Sequence, residues 1–239
     1  MATPKDDTSS KGSKFGPLRT FGRTGGRPLS PRQQRLMEEL LPKIVVDMDA
    51  LHDNFDPKNL FDASCKEVWF EIGFGGAEHL IGQAARNPQV GIIGAEPFQE
   101  GVAKALTLID ADGMQNVRIH PDDARLVLDK LADASLDRIF IMFPDPWHKT
   151  RHHKRRLIQP EFIDTLARIL KPGGHVRFAT DWANYADWTL ERFENSPSFS
   201  WLAEKADDWR TPPADHVTTR YQTKGLGDCA PVWLDFKRT

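Results

Sequence analysis

The chain reads Glu67-Val68-Trp69-Phe70-Glu71-Ile72-Gly73-Phe74-Gly75-Gly76 where an apolar run gives way to glycines. The apolar residues of Val68–Gly73 predict a buried strand, and the amphipathic residues of Glu78–Arg86 predict a helix directly after it. Glycine at such a junction permits a tight turn and lets a ligand approach the backbone. This order is typical of the first unit of a nucleotide-binding sheet, with an ordinary tight turn as the alternative.

The same alternation of apolar runs and helix-length segments continues after the glycine turn, which indicates βαβ units in a parallel sheet. A polar connection without a helical pattern separates the last two apolar runs, so we expect them to form an antiparallel hairpin at the sheet edge. The overall expectation is a doubly wound, mostly parallel, seven-stranded α/β sheet. The further predicted strands are Gly91–Ala95, Val117–His120, Leu136–Phe143, His175–Thr180, Phe199–Ala203 and Pro231–Phe236. The further predicted helices are Gly101–Asp110, Ala124–Leu131, Glu161–Leu170, stopped by Pro172-Gly173-Gly174, and Trp182–Phe193.

Length and composition limit the class of protein. A chain of 239 residues that is 39% hydrophobic can bury one sizeable core. Apolar stretches such as Leu136–Phe143 are far shorter than the roughly 20 residues of a membrane-spanning helix. Cys65 and Cys229 are too few for a disulfide framework or a four-ligand zinc site. With a polar N-terminus that lacks an apolar signal region, these features favour a cytoplasmic protein without a membrane partner.

The formal net charge of −2 hides an uneven distribution of charge. Residues 1–35 carry eight Lys or Arg against two Asp, and residues 148–158 carry five cations and no acid. We expect residues 1–34 to form a basic, disordered tail, either a solvated leader or an arm that touches a polyanion, and residues 35–239 to form a single domain. An acidic body with a basic rim and arm is compatible with a nucleic-acid substrate.

Acidic residues at predicted strand ends are candidates for binding a nucleoside cofactor. Glu96 follows the second predicted strand, where a carboxylate can accept the hydroxyls of a ribose. Glu78 stands at the start of the predicted helix and would oppose a pyrophosphate there, whereas S-adenosylmethionine has no phosphate. Its ammonium group is a plausible partner for Glu71. Asp122 or Asp123 can accept from the adenine amino group, and capping of the following helix is the alternative for both.

An acid between two prolines follows the fourth predicted strand, in the sequence Phe143-Pro144-Asp145-Pro146-Trp147-His148-Lys149. The aromatic residues and the acid suit a planar base, because guanine offers N1–H and its N2 amino group as adjacent donors to a carboxylate. A proline-rich turn with one buried aromatic residue is the alternative.

Basic residues follow this turn without an intervening acid, which is unusual for a solvated surface and favours contact with a phosphate backbone. His148, His152 and His153 lie among them, but no Cys or Asp at suitable spacing completes a metal site, so no metal is expected. Two further segments can reach the same sheet edge: Thr180-Asp181-Trp182, where capping is the alternative for Asp181, and Thr218–Gln222. The basic residues are Lys149, Arg151, Lys154, Arg155 and Arg156.

These motifs together resemble the bacterial tRNA (guanine-N7-)-methyltransferases, which are class I S-adenosylmethionine-dependent enzymes. The resemblance spans about residues 35–238. It is carried by Glu71–Gly75, Gly94–Phe98, Phe143–Arg156, Thr180–Trp182 and Thr219–Gln222 with Lys224-Gly225, and the Pro-Asp-Pro-Trp-His-Lys segment is its most specific part. The family usually has Thr-Lys-Phe-Glu where this chain has Thr219-Arg220-Tyr221-Gln222, so Gln222 removes a carboxylate.

The resemblance implies a role for each matching residue and a reaction, methyl transfer to N7 of guanine 46 in the tRNA variable loop. It implies cofactor contacts from Glu71, Gly73, Gly75, Glu96, Asp123 and Asp145, with Asp145 also catalytic. It implies substrate contacts from Lys149, Asp181, Thr219, Arg220, Tyr221 and Gln222, and RNA contacts from Arg151, Lys154, Arg155 and Arg156. We infer no obligate protein partner from the sequence.

Two other functions fit the same residues. One is methylation of an exocyclic base amine, because a strand-four acid in a proline-aromatic turn also occurs in such enzymes. The other is a noncatalytic RNA-binding module on a degenerate sheet, against which the retention of Glu71, Glu96 and the glycines counts.

Overall fold

The computed structural model describes residues 26–239, so most of the predicted basic tail lies outside the described residues. Helix α1 (Pro31–Glu39) begins inside the range predicted as tail. Ser30 and Gln33 form a capping box at its start, and Pro31 occupies its first turn. Helix α1 therefore begins four residues before the expected domain boundary at residue 35, because these local helix-start signals outweigh the polar composition.

Within residues 26–239, seven strands form one sheet in the order β3-β2-β1-β4-β5-β7-β6, which confirms the predicted fold and gives the architecture of class I methyltransferases. The first five strands are parallel, and β7 runs antiparallel to both of its neighbours, β5 and β6. The strands are β1 (Glu67–Ile72), β2 (Val90–Ala95), β3 (Val117–His120), β4 (Leu136–Met142), β5 (Leu170–Thr180), β6 (Phe199–Trp201) and β7 (Val232–Arg238).

Helices cover both faces of the sheet. Alternate residues of β1 point to opposite faces: Val68, Phe70 and Ile72 pack in one core cluster, and Trp69 packs in the other. The remaining helices are α2 (Leu41–Ile44), α3 (Glu78–Arg86), α4 (Gln99–Asp112), α5 (Ala124–Leu128), α6 (Pro160–Ile169), α7 (Ala183–Glu194) and α8 (Asp207–Arg210). None of the helices in residues 26–239 is long and apolar enough to span a membrane.

Besides shifts of one or two residues at other element ends, the structure corrects three of these predictions. Pro172-Gly173-Gly174 does not follow α6 but lies inside β5, where the pairing with β4 jumps from Leu136↔Leu170 to Arg138↔His175. The bulge, with Gly173 at φ 80°, accommodates the proline and glycines within a strand. Helix α5 ends at Leu128 rather than Leu131, and the connection predicted to be free of helix contains the short α8.

Candidate active site

A cavity of about 650 Å³ opens at the carboxyl ends of β1, β2 and β4. Ligands bind at this edge in doubly wound sheets, beside the first strand where the chain order reverses. The cavity brings together most of the residues predicted for cofactor and substrate: Glu71, Gly73, Gly75, Glu96, Asp123, Asp145, Thr219, Arg220 and Tyr221 all line its wall.

The glycine turn between β1 and α3 has the backbone conformation that the sequence suggested. Gly73 and Gly75 have φ values of 70° and 52°, in the left-handed region that residues with a Cβ rarely adopt. Ala77, directly before α3, also has a left-handed backbone, with φ 66°, and is fully buried. The turn thus places backbone rather than side chains against one side of the cavity.

Glu96 is buried at the end of β2 and braces the glycine turn. Its Oε2 accepts from the amide of Gly75 at 2.8 Å, and its Oε1 accepts from the amide of Phe98 at 2.9 Å. Burial raises the pKa of Glu96, the two amide hydrogen bonds oppose this effect, and the charges of Asp145 and Glu71 add to it. Since each carboxylate oxygen has more than one lone pair, Glu96 can still accept from ribose hydroxyls.

Glu71 is 1% exposed and forms a buried pair with His79 on α3. His79 Nδ1 lies 2.8 Å from Glu71 Oε2, and Gln83 Nε2 lies 3.2 Å from the other ring nitrogen. Gln83 Nε2 also donates to the carbonyl oxygen of Asp215 at 2.7 Å, which fixes the orientation of the amide. Gln83 therefore donates to His79 Nε2, and the ring proton resides on Nδ1, from which it is donated to Glu71.

Asp123 has the capping role that the sequence left open as an alternative. Its Oδ1 accepts from the backbone amide of Arg125 at 3.0 Å at the start of α5, and its Oδ2 pairs with the Arg125 guanidinium at 2.6 Å. Asp122, the other candidate, is exposed and accepts from the amide of Asp123. Asp123 also lines the cavity, so capping does not remove it from the site.

Asp145 lies in a strained turn at the mouth of the cavity. Phe143 and Trp147, on either side of it, have φ values of 53° and 43°, and a non-glycine residue held there costs about 1–3 kcal/mol. The side chain of Asp145 is exposed to the cavity, but the protein around it reduces its solvation and raises its pKa. The Phe143 ring packs 5.6 Å from the ring of Tyr221, so the two aromatic rings close one side of the mouth.

Three residues predicted to contact the substrate lie off the cavity wall: Lys149, Asp181 and Gln222. Lys149 is exposed on the outer side of the Asp145 turn. Asp181 is 3% exposed and accepts from the Tyr221 hydroxyl at 3.4 Å. Gln222 Oε1 accepts from His216 Nε2 at 2.8 Å.

The predicted RNA-contacting residues divide into an exposed and a buried group. Arg151 and Lys154 are exposed on the 3₁₀ helix Thr150–Arg155, and Arg155 is half-buried with its guanidinium 5.1 Å from the Trp147 ring. Arg156 was wrongly predicted to face RNA, because it is 2% exposed. Its side chain turns inward and donates to the carbonyl oxygen of Pro146 and to Asn184 on α7, so it fixes the turn from within.

The donor set of the cavity fits S-adenosylmethionine. Five carboxylates of the described residues line it, from Glu71, Glu78, Glu96, Asp123 and Asp145, and such groups can pair with the ammonium group of this ligand. A dinucleotide fits less well, because Glu78 occupies the first turn of α3 where its pyrophosphate would lie. Among residues 26–239 no group of three or more His, Cys, Asp or Glu side chains is arranged to hold a metal ion.

The sequence interpretation missed His79, Gln83 and Asp215. His79 follows the glycine turn within the first turn of α3, and this position signals that its side chain can reach the end of β1. Gln83 lies one helical turn further along the same face. Asp215 has no local signal, since the residues it contacts are distant in the chain.

Comparison with known proteins agrees with this geometry. Residues 66–233 match the family described as "Putative methyltransferase". The chain is 59% identical to the tRNA (guanine-N(7)-)-methyltransferase of Caulobacter vibrioides, over 93% of this chain and 96% of the relative. It is 54% identical to the enzyme of the same name from Hyphomonas neptunium, over 92% and 99%. Among solved structures, TrmN from Thermus thermophilus matches 80% of this chain and 48% of its own, at 19% identity and a TM-score of 0.49. At 54% and 59% identity to these two enzymes over nearly the full length, the chain belongs to the family of tRNA (guanine-N(7)-)-methyltransferases.

Proposed function

We propose that this protein transfers the methyl group of S-adenosylmethionine to N7 of guanine in tRNA, at guanine 46 of the variable loop, in the cytoplasm. The observation that carries the proposal is the meeting of the Asp145 turn with the acid-lined cavity at one sheet edge. The names of the relatives, at 54% and 59% identity, support the same reaction.

Residues from three strand ends would hold the cofactor. Glu71 would pair with its ammonium group, Glu96 would accept hydrogen bonds from the ribose hydroxyls, and Asp123 would accept from the adenine amino group. Gly73 and Gly75 would let the cofactor approach the backbone. When bound, S-adenosylmethionine supplies an electrophilic methyl group on a positively charged sulfur. Burial keeps Glu71 and Glu96 in fixed orientations, so these contacts need little reorganisation.

The chemistry at guanine decides the role of Asp145. Guanine N7 carries a lone pair and no proton, so its attack on the methyl group needs no general base. Asp145 instead orients the base by accepting hydrogen bonds from it. Its negative charge stabilises the positive charge that develops on the purine during the transfer. Accurate positioning of the reacting atoms can supply about 7–11 kcal/mol of the barrier.

The remaining contacts would bind the RNA around the target base. Thr219, Arg220 and Tyr221 face the cavity and contact the base and its sugar, with Lys149 and Gln222 on either side of them. Asp181 would act through Tyr221, whose hydroxyl donates to its carboxylate. Arg151, Lys154 and Arg155 contact phosphates, which position the RNA without reading its sequence.

The direct test is incubation of the protein with labelled S-adenosylmethionine and unmodified tRNA, followed by nucleoside analysis. We expect an alkali-labile N7-methylguanosine, and no label in a tRNA that carries adenine at position 46. An alkali-stable methylated adenine would instead support methylation of an exocyclic amine. Binding of S-adenosylhomocysteine without any transfer would support a noncatalytic RNA-binding module.

A further inference from the structure

The connection from Asp215 to Cys229, here called the flap segment, supplies the outer wall of the cavity. Thr219, Arg220, Tyr221 and Lys224 all line the cavity from this segment. None of residues 218–226 is buried, so the middle of the segment has no core of its own. The middle meets the rest of the protein through the Tyr221 side chain and through Arg220, which pairs with Glu78 at 3.3 Å, and the contacts at the two ends add to these.

Asp215 fixes the first end through four hydrogen bonds. Its carboxylate pairs with Arg177 Nη1 at 2.5 Å and with Arg138 Nη1 at 2.9 Å, both on the sheet. Its backbone carbonyl accepts from Gln83 Nε2 at 2.7 Å and from Arg86 Nη1 at 2.9 Å, both on α3. One half-buried residue thus connects the flap segment to two different elements of the rigid fold.

Three further contacts reinforce the ends. A Cβ on Gly82 of α3 would lie 2.6 Å from Cγ2 of Val217, so glycine lets the flap segment approach the helix. At the far end, the amide of Cys229 donates to the carbonyl of Asp181 at 3.1 Å, and Asp228 accepts from the amide of Ala183 at 2.8 Å.

We infer that Asp215 is a positioning residue for methyl transfer, which holds the flap segment over the cavity so that Thr219, Arg220 and Tyr221 face the target base. Asp215 does not line the cavity and acts through the segment. The identity of the base rests on the proposed function, but the anchoring of the segment does not.

The charges around Asp215 support this role. Burial alone would raise the pKa of Asp215, but Arg177 and Arg138 hold it below its ordinary value, so the carboxylate is ionised at neutral pH. Arg177 is also bonded to Asp235 on β7 at 2.8 Å. Asp235 therefore offers a matched control: it pairs with the same arginine but lies outside the flap segment.

The test uses the full-length protein and trypsin, which can cleave at the exposed Arg220 and Lys224. Cleavage of a transiently opened segment reports the open population. We expect Asp215→Asn to accelerate cleavage at these two sites by about ten- to a hundredfold, the effect of losing a charge-assisted hydrogen bond. Asp235→Asn should leave cleavage within about twofold of wild type, since it disturbs Arg177 but not the segment.

Kinetics and a second variant complete the test. Asp215→Asn should lower kcat/KM for tRNA by about tenfold or more, with S-adenosylhomocysteine affinity within about twofold, because the backbone carbonyl that holds Gln83 is kept. Asp215→Glu should restore part of the loss. Gly82→Ala, which favours the helix, should also accelerate cleavage by displacing Val217.

Two results would overturn the inference: cleavage of Asp215→Asn at the wild-type rate, or equal acceleration in Asp215→Asn and Asp235→Asn. Neither depends on methylation. If trypsin cleaves the wild type and the variants at the expected relative rates but the wild type methylates no tRNA, only the proposed function would be overturned.

Discussion

Replacement of Arg156 by alanine separates the buried and exposed roles within one basic stretch. Arg156 donates to the carbonyl oxygen of Pro146 at 2.9 Å and to Asn184 Oδ1 at 2.7 Å. Its guanidinium also lies 4.8 Å from the Tyr185 ring and 4.9 Å from the Trp188 ring. We expect Arg156→Ala to destabilise the fold without removing an RNA phosphate contact.

The magnitude follows from these contacts. A buried acceptor left without its donor costs about 1–3 kcal/mol, and each cation–π contact adds about 0.5–1 kcal/mol. Asn184 is exposed and can turn towards water, so only one acceptor is counted and the sum is about 2–5 kcal/mol. For a chain of 239 residues this corresponds to a fall in Tm of roughly 4–20 °C, measured by thermal denaturation.

The matched control removes exposed charges from the same 3₁₀ helix. Arg151→Ala with Lys154→Ala should leave Tm nearly unchanged and reduce the slope of log affinity for tRNA against log salt by roughly 1.4–1.8. As salt rises from 50 to 200 mM, the ratio of wild-type to double-variant affinity for tRNA should then fall by roughly 7–12-fold. Arg156→Ala, assayed below its Tm, should keep the wild-type slope. A reduced slope in Arg156→Ala with an unchanged Tm would refute the assignment of that side chain to the interior.

Three further outcomes are expected. Asp145→Asn should lower methyl transfer by about a hundredfold or more, with tRNA affinity nearly unchanged, and normal turnover would exclude its assigned role. Burial raises the pKa of Glu96, so this carboxylate becomes protonated at a higher pH than an ordinary glutamate. As the solution is acidified, affinity for S-adenosylhomocysteine should therefore begin to fall at that higher pH. Calorimetry across that range should show a flatter profile for Glu96→Gln, and parallel profiles would contradict this reading. Burial lowers the pKa of His216, and Gln222→Glu places a carboxylate at its Nε2. The His216 pKa should then rise, and the variant should gain stability below that pKa and lose it as the pH rises through it; an unshifted NMR titration of His216 would contradict the pairing.

The sequence was sufficient to predict which acids meet at the cavity. Glu71 lies near the end of a predicted parallel strand, Glu96 and Asp145 each follow one, and the carboxyl ends of such strands lie at one edge of the sheet. That inference requires strand order and direction but no side-chain packing. The matches to tRNA (guanine-N(7)-)-methyltransferases over more than nine-tenths of the chain confirm the predicted S-adenosylmethionine-dependent family.

Residues with distant partners could not be placed in this way. Arg156 and Arg155 are neighbours in the same basic run, and only the packing of α7 against the Asp145 turn buries one of them. Asp215 is similar, because Arg138 and Arg177 lie 77 and 38 residues before it in the chain. Such pairs are determined by tertiary packing, for which a local pattern carries no signal.

The reversed direction of β7 has a topological consequence for the active site. Val232, at the start of β7, lies beside Thr180 at the end of β5, so the chain must arrive at the carboxyl edge of the sheet before it can enter its last long strand. A parallel β7 would start at the opposite edge, and the flap segment would then end far from the cavity. The antiparallel direction of β7 therefore brings the flap segment over the cavity, whereas a parallel strand would leave it far away. The catalytic pocket is thus complete only when β7 has joined the sheet.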